Sequence, residues 1–342
     1  MTRRNFLTAV AAASAVPSAL PGTTLPRTSM GITTDSFQYS RRPKTAYEFL
    51  EYCHSLGAGG AQAELPSFEP DYTKKLRQRA EELDMYLEIS VRLPGSEDTS
   101  GFERAVKAAK EAGAVCLRSL CLGERRYEVF SSLDDWKRFV AESRARIARV
   151  LPILEKHRMP MGLENHKDWT TEELVALMKE YSGEYLGVCI DTGNNLSLLD
   201  DPMEVVERLA PFAMTTHVKD MAMEECTEGF LLAEVPLGDG MLDMKRIVDT
   251  IAKARPRTKF TLEMITRNPL KIPCLSDPYW VTFPDRGGRF LARALTLVRA
   301  HPPRRPLPRV DTLDPTARQR LEEDNVKQCL AYAREQLGLR LS

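Results

Sequence analysis

From residue 30 onward the chain alternates, eight times over, between a short apolar run and a stretch with amphipathic helical spacing. The apolar runs are Met30 to Thr34, Gly60 to Leu65, Tyr86 to Leu93, Val115 to Leu122, Met161 to Asn165, Gly187 to Asp191, Met214 to Lys219 and Phe260 to Ile265. Between them, helical patterns run over Ala46 to Leu56, Thr73 to Leu83, Phe102 to Ala112, Leu133 to His157, Thr171 to Tyr181, Met203 to Leu209 and Met244 to Ala254, with a closing one near Arg289 to Arg299. Strands that alternate with helices pair in parallel, because each crossover returns the chain to the same end of the sheet. Eight such units over residues 29–300 predict one (β/α)₈ TIM barrel. The competing arrangement is an open doubly wound sheet, but no Gly-rich phosphate-binding turn follows the first strand.

Local signals agree with these edges. Ser132 stands where a helix needs a cap, with Asp134 and Asp135 in the first turn. Thr170 and Thr171 precede Glu172 and Glu173 in the same manner, Asp201-Pro202 puts proline at a helix start, and Gly57, Gly113 and Gly183 fall where helices end. Two stretches break the rhythm. Ala222 to Asp243 reads as a hairpin-like loop, and the proline-rich run Asn268 to Pro284 has no helical periodicity. Both follow strand C-termini, the end at which barrels of this kind carry their chemistry. Residues 301–342 read as a Pro/Arg linker followed by a C-terminal helix, Pro315 to Leu337.

The N-terminus reads differently. Thr2-Arg3-Arg4-Asn5-Phe6-Leu7 is a twin-arginine pattern, followed by an apolar run to Val16 and small residues at Ala15 to Ala19. Residues 1–25 are therefore expected to be a removable signal read by the twin-arginine export machinery, giving a periplasmic or secreted protein. The run is too short to span a bilayer, which takes about 20 residues, so no stable membrane anchor is expected. The seven cysteines show no paired spacing and behave as small hydrophobes inside apolar runs. Lys plus Arg equals Asp plus Glu at 48 each and aromatics make up 7%, which argues against a nucleic-acid partner. Nothing in the sequence identifies a protein partner, and a homo-oligomer stays open.

Four metal-competent side chains fall at or near the C-terminal ends of strands five to eight: Glu164, Asp191, His217 and Glu263. The first three are one β-α repeat apart, and the longer last interval is accounted for by the hairpin-like insertion. A carboxylate at the end of an apolar strand is costly to bury unless paired or bound to a cation. Three converging carboxylates would raise one another's pKa unless a cation neutralised them. One His with three carboxylates suits Mn²⁺ first, with Co²⁺, Mg²⁺ and Zn²⁺ also fitting.

On these motifs the chain resembles the xylose isomerase-like TIM barrel superfamily, which includes sugar phosphate isomerases/epimerases, ketose 3-epimerases, hydroxypyruvate isomerase and inosose dehydratase. The resemblance covers nearly the whole chain after the signal, and is most specific from Gly162 to Glu263. It implies that Glu164, Asp191, His217 and Glu263 bind one divalent metal ion, and that Glu164 and Glu263 also act as acid/base groups. Pro236-Leu237-Gly238-Asp239-Gly240-Met241-Leu242-Asp243 is similar to the family's Pro-Gly-x-Gly-x-Ile-Asp segment. One position departs: ketose epimerases carry His three residues after the Asp, and here it is Asn194. His217-Val218-Lys219-Asp220 looks more like the His-x-Lys-Asp of inosose dehydratase-like members.

Strand parity adds further candidates. His166 shares a face with Glu164, and Lys219 shares one with His217, so both are expected to act in catalysis. Asn194, Arg118, Glu88, Lys271 and Trp280 are candidates for substrate contact, with Tyr279 beside Trp280. A metal-held hydroxy-ketone would lose the proton between its oxygens to form an enediolate, with one carboxylate as base and a second as acid. From there isomerisation, epimerisation and β-elimination are all open. The expected activity is that of a metal-dependent isomerase or epimerase on a small-molecule carbohydrate. The alternative is a dehydratase or lyase on a 3-keto-sugar, 3-keto-glycoside or inosose. A sugar-binding barrel without turnover is a lower alternative, opposed by the retained Glu164/Glu263 pair.

Overall fold

A computed structural model describes residues 26–40 and 43–341 of the 342. The expected export signal lies outside the described residues. Walking the chain, the barrel is built from β1 (Gly31–Thr33), α1 (Ala46–Ser55), β2 (Gly60–Ala63), α2 (Pro70–Glu82), β3 (Tyr86–Ser90), α3 (Ser100–Glu111), β4 (Cys116–Ser119), α4 (Arg126–Val129), α5 (Leu133–His157), β5 (Met161–Glu164) and α6 (Thr171–Tyr181). It continues through β6 (Leu186–Asp191), α7 (Pro202–Leu209) and β7 (Ala213–Val218), then leaves the barrel for the hairpin β8 (Asp220–Cys226) and β9 (Gly229–Val235). After α8 (Met244–Ala254) and the last barrel strand β10 (Thr261–Leu262) come β11 (Leu270–Ile272), α9 (Asp277–Trp280), α10 (Gly288–Ala300) and α11 (Pro315–Gln336).

The eight barrel strands close in the order β1-β10-β7-β6-β5-β4-β3-β2, with every pairing parallel. Helices cover the outside, so a strand such as β6 is buried along its whole length. That explains why the strands read as continuous apolar runs and not as alternating ones. The bottom of the barrel is plugged by Tyr86. Its hydroxyl accepts from the Gly31 N–H at 2.8 Å and donates to the Phe260 carbonyl at 2.9 Å. Gly60 makes this possible, since a Cβ there would sit 2.3 Å from the Tyr86 ring.

Capping follows the sequence signals. Thr170 and Glu173 form a reciprocal capping box on α6, and the Asp201 side chain accepts from the Met203 and Glu204 N–H groups of α7. Helix α2 begins at Pro70, three positions before its amphipathic pattern, because proline fits the first helical position without losing a bond. The insertion after β7 is a hairpin as expected, but it starts at Asp220. The proline-rich run supplies β11 as a third antiparallel strand against β9, and the short α9. Neither could be read from periodicity, since a three-residue strand and a four-residue helix have too few positions to show a period.

Two buried carboxylates set the loops at the C-terminal mouth. Asp220 accepts from the backbone N–H groups of Met221, Gly238, Gly240 and Leu242 at 2.8–3.1 Å, which fastens the Pro236–Asp243 segment beside the barrel. A Cβ on Gly240 would fall 2.1 Å from its Oδ1. Glu322, fully buried on α11, accepts from the N–H groups of Gln38, Tyr39 and Ser40 at 2.5–3.2 Å. The C-terminal helix thereby holds the loop that follows β1. No helix among the described residues is long and apolar enough to cross a membrane.

Candidate active site

Strands β5, β6, β7 and β10 bring Glu164, Asp191, His217 and Glu263 to one end of the barrel. Each offers a ligand atom, and these atoms all lie within 4.8 Å of one another. All four side chains are buried. His217 Nδ1 stands 3.3 Å from a Glu164 oxygen and 3.2 Å from a Glu263 oxygen. Among the described residues, the buried His217 Nδ1 makes no hydrogen bond of acceptable geometry, and Asp191 Oδ2 meets only the Lys219 ammonium, at 2.8 Å. A buried imidazole nitrogen that faces two carboxylates without a hydrogen bond, in a cluster of three carboxylates whose ligand atoms converge, is what a divalent cation would satisfy, so the residues present fit a metal ion.

Cationic side chains of the chain itself press on this cluster. Arg118 donates from Nε to Glu164 at 2.6 Å and contacts the same oxygen through a second nitrogen. Burial opposes ionisation of Glu164, but Arg118 and then His217 outweigh it and hold the carboxyl well below the usual range. Lys219 sits against Glu263 and 2.8 Å from Asp191. Burial works against its charge, but Asp191, Glu263 and Glu234 keep the ammonium protonated beyond its ordinary value. Asp191 is pushed up to about 6 by burial, despite Lys219. His217 is driven up to about 10 as Glu164 and Glu263 overcome its burial. These directions follow from one another: without a cation, protons and ammonium groups must balance the carboxylates.

The other expected residues divide. Asn194 reaches Glu164 through its amide nitrogen at 3.1 Å, and its amide oxygen accepts from Lys167 and, at 3.4 Å, from Lys219. It therefore ties the cluster's charged groups together. His166 is held neutral, its pKa driven down to about 3 by burial and by Lys167, and its buried Nδ1 has no hydrogen-bond partner among the described residues. Arg118 lines a cleft of about 310 Å³ with Thr34, Asp35, Lys44, Glu64 and Ser90, at the β1–β4 side of the mouth. Glu88 has no exposed surface, and its side-chain bonds among the described residues lie inside the barrel, to Gln62, Thr215 and Thr261. That placement corrects the expectation of substrate contact: it lies beneath the cluster. Lys271 and Trp280 also lie apart from the four ligand candidates. Lys271 pairs with Glu228 at the hairpin turn, and the Trp280 indole donates to the Cys274 carbonyl at 2.9 Å. Tyr279 is buried, its hydroxyl on the Ser197 carbonyl.

Several site residues were not singled out from sequence. Gln62 meets His217 at 2.6 Å; a polar residue within the small apolar strand β2 was the available signal. Lys167 is buried and follows the Glu164-Asn165-His166 run directly. Asp35 stands in the cleft, placed by its neighbour Ser36, whose hydroxyl donates to Leu262 C=O at 3.2 Å and accepts from Met264 N–H at 3.1 Å, astride Glu263. Glu234 and Arg267, joined by two contacts, come from the hairpin and from the loop after β10. No local pattern announces such a pair.

Comparison with known proteins places this geometry. The 3-oxo-isoapionate decarboxylase of Pectobacterium atrosepticum is 30% identical over 208 residues, spanning 59% of this chain and 71% of the relative. A D-psicose 3-epimerase structure matches 91% of this chain and 99% of its own with a TM-score of 0.59 at 15% identity. A Mycobacterium smegmatis barrel solved in complex with magnesium matches 79% and 98% with a TM-score of 0.54 at 14% identity. At such identities the structural matches speak to the fold. The family model described as xylose isomerase-like TIM barrel matches residues 50–278, well over half of the chain, and the protein belongs to that family.

Proposed function

We propose that this protein is a divalent-metal-dependent lyase that removes a carboxylate from a sugar-derived 3-oxo acid through an enolate. The observation that carries the reading is Lys167. Its ammonium is buried, bonds to the neutral Asn194 amide and has no ion pair with any described carboxylate. Burial, with Lys219 and Arg267 nearby, lowers its pKa to about 8. A buried cation without a counter-ion is unfavourable until an anion arrives, and a substrate carboxylate is an anion of the right size. The 30% identity to a decarboxylase of a 3-oxo acid points the same way.

A divalent ion held by Glu164, Asp191, His217 and Glu263 would polarise the substrate carbonyl and stabilise the enolate oxygen. The chain's own residues supply the rest. Lys167 fixes the carboxylate. The C–C bond to that carboxylate breaks, its electron pair moves into the carbonyl as an enolate, and carbon dioxide leaves. A proton then returns to the carbon, from the Lys219 ammonium or from Asp35, whose carboxyl is shifted up by burial and by Glu263. No general base is needed, which agrees with Arg118 and Asn194 engaging both oxygens of Glu164.

The second reading is the metal-dependent isomerase or epimerase on a keto-sugar, favoured by Glu164 and Glu263 flanking His217 from two sides. Incubation of metal-loaded protein with sugar-derived 3-oxo acids and with ketoses in D₂O, read by mass spectrometry, separates them. Loss of carbon dioxide with one deuterium gained is expected, with a KM at least 10-fold higher in Lys167→Gln. A product that keeps every carbon and oxygen of the ketose and is heavier only by one exchanged deuterium, indifferent to Lys167→Gln, would establish the isomerase instead. We extend the same reading to location: if residues 1–25 direct export, the mature protein is recovered outside the cytoplasm with a new N-terminus.

A further inference from the structure

His217 has two ring nitrogens; a ring that binds a cation keeps a proton on only one of them, and which one it is decides the ligand atom. Its Nε2 lies 2.6 Å from Gln62 Oε1, while the Gln62 amide nitrogen lies 2.9 Å from Glu88 Oε2. A side-chain amide can be turned either way, so its neighbours must fix it. Here Glu88 does so. The Glu88 oxygens also accept from the Thr215 and Thr261 hydroxyls, at 2.5 Å and 2.9 Å, from β7 and β10. Facing a buried carboxylate, Gln62 must present its NH₂ to Glu88 and its carbonyl oxygen to His217. An amide oxygen only accepts, so Nε2 must bear the hydrogen. Nδ1 is then the nitrogen directed at Glu164 and Glu263, and it is the one left without a hydrogen bond.

We propose that Gln62 and Glu88 are positioning residues, a relay running under the site that fixes His217 with its proton on Nε2 and so keeps Nδ1 as the ligand atom. Neither touches substrate: both are fully buried, on β2 and β3, beneath the mouth. Strand β2 meets β1 and β3 and is not adjacent to β7, so the bond to His217 crosses the barrel interior. The relay accounts for a carboxylate, an amide and two hydroxyls in one interior layer that could otherwise have been apolar. Hydrogen-bond partners of a metal-bound His commonly change metal affinity about 10- to 100-fold.

The test uses the full chain and two readouts, only the second of which rests on the metal reading above. In ¹⁵N-His-labelled protein, long-range ring correlations should show a slowly exchanging hydrogen on His217 Nε2, with or without Zn²⁺. In Gln62→Met that hydrogen should exchange rapidly, and Zn²⁺ affinity measured against a chelator should fall roughly 10- to 100-fold. Gln62→Glu, which keeps an acceptor for Nε2–H and shares one proton with Glu88, should restore the ring signature. A wild-type ring with Nε2 bare would overturn the proposal, and so would a Gln62→Met protein unchanged in both readouts. If the wild type takes up no Zn²⁺ while the Nε2 hydrogen is present and Gln62-dependent, the metal reading fails and the relay stands. Should Gln62→Met not fold, Gln62→Glu and the wild-type ring pattern still decide.

Discussion

The two sides of the barrel mouth are built on opposite plans. On the β5–β10 side, every carboxylate of the cluster meets a cation or imidazole of the chain: Glu164 with Arg118, Asp191 with Lys219, Glu263 with Lys219 and His217. On the β1–β4 side lies an open cleft of about 310 Å³ in which Asp35 faces hydroxyl and mixed-charge walls. The first side is held by charge pairs between strand ends. The second is held at a distance, through Ser36 astride Glu263 and through Glu322 on the C-terminal helix. A buried charge network tolerates little change, because removing one partner strands another charge. A cleft shaped by loops can vary in lining while its frame persists. In this reading the paired side holds the cation and, through Lys167, the substrate carboxylate, while the open side receives the rest of the substrate.

The largest expected effect tests whether the paired side is one unit. His217→Ala should abolish stoichiometric metal and lower turnover by about 10³-fold or more, on the scale of losing a group that acts with its neighbours. Metal analysis of the purified variant checks it, and retained metal would divide the cluster into independent parts. Next, Lys219→Met should lower turnover by about 10²-fold, as expected for loss of a proton donor. Its metal affinity should hold or rise, because a positive charge beside Asp191 and Glu263 repels an incoming cation. Weaker metal binding in this variant would make Lys219 a support for the ligands and not an acid.

The open side gives a smaller, differently shaped effect. Asp35→Asn should leave metal content unchanged and reduce kcat about 10-fold or more. Glu322→Gln should act in the same direction and more weakly, by loosening the Gln38–Ser40 loop. Steady-state kinetics with metal analysis separates these from the first pair. If Asp35→Asn loses metal, the two sides are not distinct.

The smallest effect concerns stability alone. Burial pushes the Asp168 carboxyl up to about 7, and its Oδ2 has no hydrogen-bond partner among the described residues. A carboxyl raised in the folded state stabilises fully below its unfolded value near 3.8, and that stability is lost as pH rises through about 7. Asp168→Asn should therefore melt at the same temperature as wild type near pH 4 and a few degrees higher at pH 8. Equal melting at pH 8 would mean that Asp168 acquires a counter-ion or water in solution.

The sequence by itself determined the barrel and the four ligand candidates. Apolar runs at a steady spacing record which residues are buried, and the end of each parallel strand is bound to one mouth by the β-α repeat, so Glu164, Asp191, His217 and Glu263 had to converge. Only the tertiary structure decided the partners. Gln62 and His217 are 155 positions apart, and Glu322 and Gln38 are 284 apart. Glu88 shares its strand's inward face, yet it lies a layer below the mouth; Lys271 and Trp280 follow a strand end, yet pack on the hairpin and its flank. Periodicity reports the face a side chain is on. Its depth and its partner follow from strand stagger and barrel closure, which depend on all eight strands together.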